Sequence, residues 1–122
     1  MWLFTKHGFY SAVRSSDDPS MIAVRSRERA HLENIKSLLP TLLGEFEILQ
    51  FPNTDYQYRI IVPKSAWTIA AATMTSDIDY TNFKAHTERE KVGASETYID
   101  SLHAVWEVVF ETYLLADARA QK

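Results

Sequence analysis

The stretch that decides the fold runs from Tyr56 to Tyr80 and reads YQYRIIVPKSAWTIAAATMTSDIDY. Its first part, Tyr58 to Val62, is alternating and β-branched, which predicts a strand lying against a core. Pro63 ends the hydrogen-bond ladder of that strand and presets the backbone for a first helical turn. The next segment favours helix and has one broad apolar face, made of Ala66, Trp67, Ile69, Ala70, Ala71 and Met74. The sequence therefore predicts a strand that leads directly into a packed helix.

Composition limits the classes of function. A chain of 122 residues has the size of one domain, residues 1–122, and its apolar share of 46% is that of a globular protein. The absence of cysteine excludes disulfides, thiolate catalysis and cysteine-ligated metal sites. A net charge of −3 argues against general nucleic-acid binding, which needs a concentrated basic face. Lys6 and His7 interrupt the first apolar run, so we expect no signal peptide and a cytoplasmic location.

The elements on either side of the central stretch follow from periodicity and turn residues. The pattern predicts a hairpin over Trp2–Val13 and a strand over Met21–Arg25. Ser26 is a predicted cap for a helix from Arg27 to Leu39, and Glu45–Phe51 alternates like an edge strand. Ser95 is a predicted cap for a long final helix with a wide apolar face. The segment from Tyr80 to Gly93 has mixed loop and helix character.

The predicted fold class is α+β. Strand, helix, two strands and helix in that order match the first five elements of a ferredoxin-like sandwich, a β-α-β-β-α core with its helices on one sheet face. The N-terminal β-hairpin and the long C-terminal helix would then be additions to that core.

Three segments together resemble a known group of sequences: Met1-Trp2-Leu3-Phe4-Thr5 with Gly8-Phe9-Tyr10-Ser11, then Asp55-Tyr56-Gln57-Tyr58-Arg59, then Ile78-Asp79-Tyr80-Thr81-Asn82-Phe83-Lys84. They are similar to a group of small uncharacterised proteins from bacterial and phage genomes. The resemblance covers nearly the whole chain and implies a bacterial or phage origin. It implies no catalytic activity.

Known catalytic and metal-binding motifs fit the sequence poorly. Asp77, Asp79, Thr81 and Glu88 have the spacing of four ligands in a calcium loop. However, Asn82 stands where that loop needs glycine, so we interpret these acids as turn residues. The three glycines lie far apart, which excludes a phosphate loop, and no serine lies on a G-x-S-x-G turn. The sequence predicts no cofactor, no metal and no catalytic residue.

Two groups of polar residues remain as candidate sites. The denser one combines acids, tyrosines and cations and consists of Asp55, Tyr56, Tyr58, Arg59, Asp79, Tyr80, Asn82 and Lys84. It would form one shallow site if its two halves lay side by side, and it also has the composition of an interface. The second group is a candidate anion or nucleic-acid contact near the start of the first helix, made of Arg25, Arg27 and Arg29.

The leading functional hypothesis is a non-catalytic interaction or regulatory module with a protein partner and no membrane partner, and its simplest form is self-association as a homodimer. It rests on the surplus of aromatic residues in the N-terminal hairpin, namely Trp2, Phe4, Phe9 and Tyr10. One alternative is a small dimeric α+β-barrel enzyme, in which His31 or His103 acts as acid or base and Tyr58 or Arg59 orients a substrate. The other is weak nucleic-acid binding through the arginines.

Overall fold

The computed structural model describes residues 1–90 and 95–121, which form an α+β fold with a five-stranded antiparallel sheet. The strands are β1 (Trp2–Thr5), β2 (Gly8–Arg14), β3 (Met21–Ser26), β4 (Leu49–Gln50) and β5 (Tyr58–Pro63), in the order β1-β2-β3-β5-β4. The helices are α1 (Arg29–Leu38), α2 (Pro40–Leu43), α3 (Lys64–Ser76), α4 (Phe83–Glu90) and α5 (Glu96–Ala120). None of these helices has the combination of length and apolarity that crossing a membrane requires.

The predicted strand-to-helix unit is confirmed. β5 ends at Pro63, whose φ of −57° suits the residue that precedes a helix, and α3 begins at Lys64. Trp67, Ala70 and Met74 are buried one turn apart along α3, so this side of the helix packs on the sheet. Ile69 is 51% exposed, and the predicted apolar face is therefore narrower than the sequence indicated.

The main core lies on one face of the sheet, between the strands and the helices α1 and α3. Alternate residues of the strands point to that face, which is why it is made of side chains two apart. Its fully buried members include Tyr10, Val24, Ile60 and Val62 from the strands and Leu32, Ile35 and Ala70 from the helices. The intervening residues, such as Phe9, Arg25 and Arg59, belong to the opposite face, of which only a part is covered by the start of α5.

The specific ferredoxin-like arrangement is not confirmed. β3, β5 and β4 are neighbours in the sheet, but the strand on the other side of β3 is β2, which comes from the N-terminal hairpin. The hairpin is therefore an integral part of the sheet and not an addition to it, because its register with β3 continues the hydrogen-bond ladder from Ser11 to Arg14.

Several predicted boundaries were wrong. Ser26 ends β3, where its hydroxyl donates to Phe9 O (3.1 Å), so the cap of α1 falls to Glu28 and the helix begins at Arg29. The predicted strand over Glu45–Phe51 shortens to two residues, and the short helix α2 precedes it. The final helix begins after Ser95 as predicted and continues to Ala120. Gly93, the predicted end of the segment before it, lies outside the described residues.

Candidate interaction site

A second, smaller core on the opposite face of the sheet anchors the start of α5. This aromatic cluster consists of the buried residues Phe9, Tyr56, Tyr98 and Leu102 together with Phe4 and Phe83. The rings of Phe4 and Phe9, which face each other across β1 and β2, have centroids 4.6 Å apart. The Tyr98 hydroxyl donates to Thr5 O at 2.6 Å, and burial raises the pKa of this phenol. The first two turns of α5 are thereby fixed to the hairpin.

The hairpin aromatics do not form one exposed surface. Tyr10 is 0% exposed and donates to His31 O at 2.7 Å inside the main core, so its predicted interface role is wrong. Phe9 is 5% exposed and belongs to the aromatic cluster, because it lies on the face covered by α5. Trp2 is 67% exposed and is the most exposed of these aromatic residues, and Phe4 beside it is half-buried.

A buried polar chain links β2, the start of α1 and the cap of α5. The Phe9 N–H donates to His31 Nδ1 at 3.2 Å, which assigns the imidazole proton to Nε2. Nε2 lies 3.2 Å from Glu28 Oε2, at ion-pair distance but outside hydrogen-bond alignment. Ser95 Oγ donates to the same Glu28 oxygen at 3.0 Å and accepts from Tyr98 N. The carboxylate separates the serine from the imidazole, so this arrangement holds α5 and does not activate a nucleophile.

Burial of His31 makes stability depend on pH. Burial lowers the pKa of His31 below its ordinary value near 6.5, and the Glu28 carboxylate opposes part of that effect. In the unfolded chain the imidazole takes up a proton below about pH 6.5, whereas the folded chain takes it up only at lower pH. The free energy of unfolding therefore falls as the pH decreases through this window, by at most about 1.4 kcal/mol per pH unit from this group.

We expect the difference between the unfolding free energies at pH 7.5 and pH 5.5 to be smaller in His31→Gln than in the unaltered chain. Urea denaturation at the two pH values measures it. His103→Gln is the matched control, since His103 is half-exposed and pairs with Glu88 at the surface. Equal pH dependence in His31→Gln and the unaltered chain would contradict the assignment.

Beyond Leu102, α5 leaves the body of the protein. Tyr98, Ile99 and Leu102 are its buried residues, and every residue from 103 to 120 is exposed. This part contains eight large apolar side chains: Val105, Trp106, Val108, Val109, Phe110, Tyr113, Leu114 and Leu115. Eighteen residues of helix extend about 27 Å. A helix that is apolar on most of its circumference is normally buried, whereas the described residues, 1–90 and 95–121, leave this segment exposed.

An apolar cleft lies where α5 leaves the aromatic cluster. It has a volume of 410 Å³ and is lined mainly by Phe4, Phe83, Leu102, Val105 and Trp106. At the edge of the cleft, Lys84 Nζ lies over the Trp106 ring, 4.2 Å from its centroid. The cleft is continuous with the exposed apolar side of α5, because Val105 and Trp106 belong to both.

The polar-aromatic group predicted as one site is divided between two places. Asp55 makes a two-point ion pair with Arg27 (2.8 and 3.2 Å), and Tyr56 lies under the guanidinium groups of Arg25 and Arg27. Tyr58 packs against the main core, whereas its neighbour Arg59 points to the opposite sheet face.

The second half of that group serves α4 and its connection. Asp79 lies 3.8 Å from Lys6, and Tyr80 stacks on His86. Asn82 Oδ1 accepts from Ala85 N at 3.0 Å, which caps the start of α4, and Lys84 covers Trp106. These residues have structural partners of their own and do not face Asp55 or Arg59.

The three predicted anion-binding arginines also separate. Arg29 pairs with Glu33 along α1 (2.9 Å), and Arg27 is neutralised by Asp55. Arg25 lies on the open sheet face, where its Nη2 donates to Ser11 Oγ at 2.8 Å.

The residues of the proposed enzyme and of the calcium loop do not converge. His31 lines a 330 Å³ cavity with Phe9 and Tyr98, whereas Arg59 lines a different cleft and His103 pairs with Glu88. Asp77 Oδ2 lies 3.2 Å from His7 Nε2. In residues 1–90 and 95–121, no three histidine, aspartate or glutamate side chains are close enough to hold a metal ion.

Periodicity predicts an apolar face of α5 that leaves out Val108, Leu114 and Leu115 and consists of Tyr98, Leu102, Val105, Trp106, Val109, Phe110 and Tyr113. The signal was present, since apolar residues occupy nearly every position from Ala104 to Ala116 apart from two glutamates and a threonine. No known protein-family model, curated protein or solved structure matches this chain significantly. The resemblance to small bacterial and phage proteins stays a prediction.

Proposed function

We propose that this protein is a non-catalytic interaction module that self-associates through α5. The observation that carries the proposal is the exposure of every residue of this helix beyond Leu102, including eight large apolar side chains. As part of the same proposal we place the protein in the cytoplasm. A chain without cysteine forms no disulfides and therefore does not require an oxidising compartment.

The size of the apolar surface suits a second copy of the chain. The exposed parts of Val105, Trp106, Val109, Phe110, Tyr113 and Leu114 amount to roughly 600 Å² on each copy, given 150–250 Å² for a whole aromatic side chain. Two copies would bury roughly 1,200 Å², which reaches the lower limit of a stable interface.

Charge favours an antiparallel pairing of the two helices. The acids Glu107 and Glu111 lie in the first half of the projecting part, and Arg119 lies at its end. An antiparallel pair centred on Tyr113 brings Arg119 of one copy to the level of Glu107 of the other and Asp117 to the level of Val109, whereas a parallel pair brings like charges to the same level. Val108 and Leu115 are seven residues apart and form a second exposed apolar line along the helix. Because a single partner helix covers one side only, this second line favours a bundle of more than two helices over an isolated pair.

We expect light scattering across about 1–200 µM to give a mass of at least twice 14.0 kDa for the unaltered chain at the upper end of that range. The chain has no cysteine, so single cysteines test the arrangement. Tyr113→Cys is expected to form a disulfide-linked dimer on oxidation, and Val105→Cys is not. Cross-linking at both positions would indicate a parallel pair, and a mass of 14.0 kDa throughout the range would overturn the proposal.

A further inference from the structure

A different part of the molecule, the face of the sheet not covered by α5, has the features of a binding site for a small anion. The register places Ser11, Arg25, Arg59 and Leu49 in one row across β2, β3, β5 and β4. The adjacent row consists of Val13, Ala23 and Ile61. Apart from Ser11, the residues of both rows line one open cleft of 520 Å³, which Phe51 also lines.

Two like charges are directly opposite each other in this cleft. Arg25 and Arg59 are partners on neighbouring strands, an arrangement that destabilises a sheet unless something compensates the charges. In residues 1–90 and 95–121, no carboxylate lies at ion-pair distance from either guanidinium, although the chain as a whole is acidic. Two uncompensated arginines side by side are suited to a phosphate or carboxylate group.

Neutral contacts hold both guanidinium groups in place. Arg25 donates to Ser11 Oγ (2.8 Å) and lies 4.7 Å from the Tyr56 ring centroid. Arg59 donates to Tyr56 O (3.3 Å) and lies 4.3 Å from the Phe51 ring centroid, while its buried Nε has no hydrogen-bond partner among the described residues. A positioned guanidinium loses less side-chain entropy when an anion binds.

The apolar row beside the arginines indicates the chemistry of the uncharged part of the ligand. Val13 and Ile61 expose hydrocarbon surface on either side of the buried Ala23, and Phe51 lines the same cleft. The acids Asp17 and Asp18 belong to the loop beyond this row, and Asp18 Oδ1 already accepts two hydrogen bonds from Ser20. We infer that this cleft binds a small aromatic phosphate, such as a nucleoside monophosphate, with its phosphate on Arg25 and Arg59 and its ring on the apolar row.

The test is calorimetric titration at low ionic strength with AMP, inorganic phosphate and adenosine as probes. We expect AMP to bind at least ten-fold more tightly than either of the other two. Arg25→Met and Arg59→Met should each weaken AMP binding more than ten-fold. The matched control is Arg29→Met, which removes the same charge from a residue paired with Glu33 and should change the affinity less than two-fold.

A second variant keeps the arginines in place. Val13→Asp adds a carboxylate to the apolar row at a position that is 38% exposed and should abolish AMP binding without unfolding the chain. The inference is overturned if AMP does not bind, if inorganic phosphate binds as tightly as AMP, or if Arg29→Met weakens binding as much as Arg59→Met. A single-stranded oligonucleotide that binds far more tightly than AMP, with a steep salt dependence, would also overturn the small-ligand assignment.

Discussion

A chain carrying Val109→Asp and Tyr113→Asp is expected to be monomeric at concentrations at which the unaltered chain is associated. The two residues lie one turn apart on the same side of α5 and are 49% and 66% exposed. Packing this side against another helix would bury two carboxylates on each copy, and an unpaired buried charge costs several kcal/mol. Since about 1.4 kcal/mol corresponds to a factor of ten, the dissociation constant should rise by at least roughly 1,000-fold.

The same variant should keep its fold. Neither residue belongs to the main core or to the aromatic cluster, so the urea midpoint of the monomer should change little. The control adds the same charge elsewhere on the helix. Ala104→Asp with Ala118→Asp places two carboxylates on the side of Glu107 and Glu111, three residues before Glu107 and seven residues after Glu111, and this chain should still associate. A monomeric control, or an associated Val109→Asp/Tyr113→Asp chain, would contradict an interface on the apolar side of α5.

Gly8→Ala is expected to destabilise the folded chain by about 2–6 kcal/mol. Gly8 has φ of +147°, which residues with a side chain rarely adopt, and such strain costs about 1–3 kcal/mol. An added Cβ would also lie 2.4 Å from His31 Cγ and 2.6 Å from His31 Cβ, and overpacking of this kind costs about 1–3 kcal/mol more. The buried imidazole is held by Phe9 and cannot move away without losing that hydrogen bond.

Urea denaturation of Gly8→Ala measures this loss, and a double-mutant cycle separates its two parts. In the His31→Gly background neither the ring atoms nor a Cβ remain at position 31, so Gly8→Ala should cost at least about 1 kcal/mol less than in the unaltered chain. Equal costs in the two backgrounds would assign the whole loss to backbone strain. A loss below about 1 kcal/mol in the unaltered chain would contradict the packing of the hairpin turn on α1.

Local sequence patterns were sufficient to predict those helix and strand boundaries that depend on residues of the same turn. Pro63 marked the junction of β5 and α3, and Ser95 marked the start of α5, because both act through the backbone of their own turn. Ser26 has the same chemistry as Ser95 but not the same role. The Ser26 hydroxyl donates instead to Phe9 O, on a strand that is distant in sequence. The start of α1 therefore depends on the folded sheet and not on the local sequence.

The candidate sites depended still more on tertiary structure. Trp2, Phe9 and Tyr10 look alike in the sequence, yet the pleat of β2 sends Tyr10 and Phe9 to opposite faces, each of which is covered at that position. Arg25 and Arg59 are 34 positions apart in the chain, and only the register of β3 with β5 makes them neighbours. The strand-to-helix unit and the apolar character of α5 were thus determined by the sequence itself, through local backbone geometry and periodicity. Which aromatic side chains are buried, which arginines face each other and where α5 leaves the body were decided by long-range packing, since each depends on a partner that no local pattern specifies.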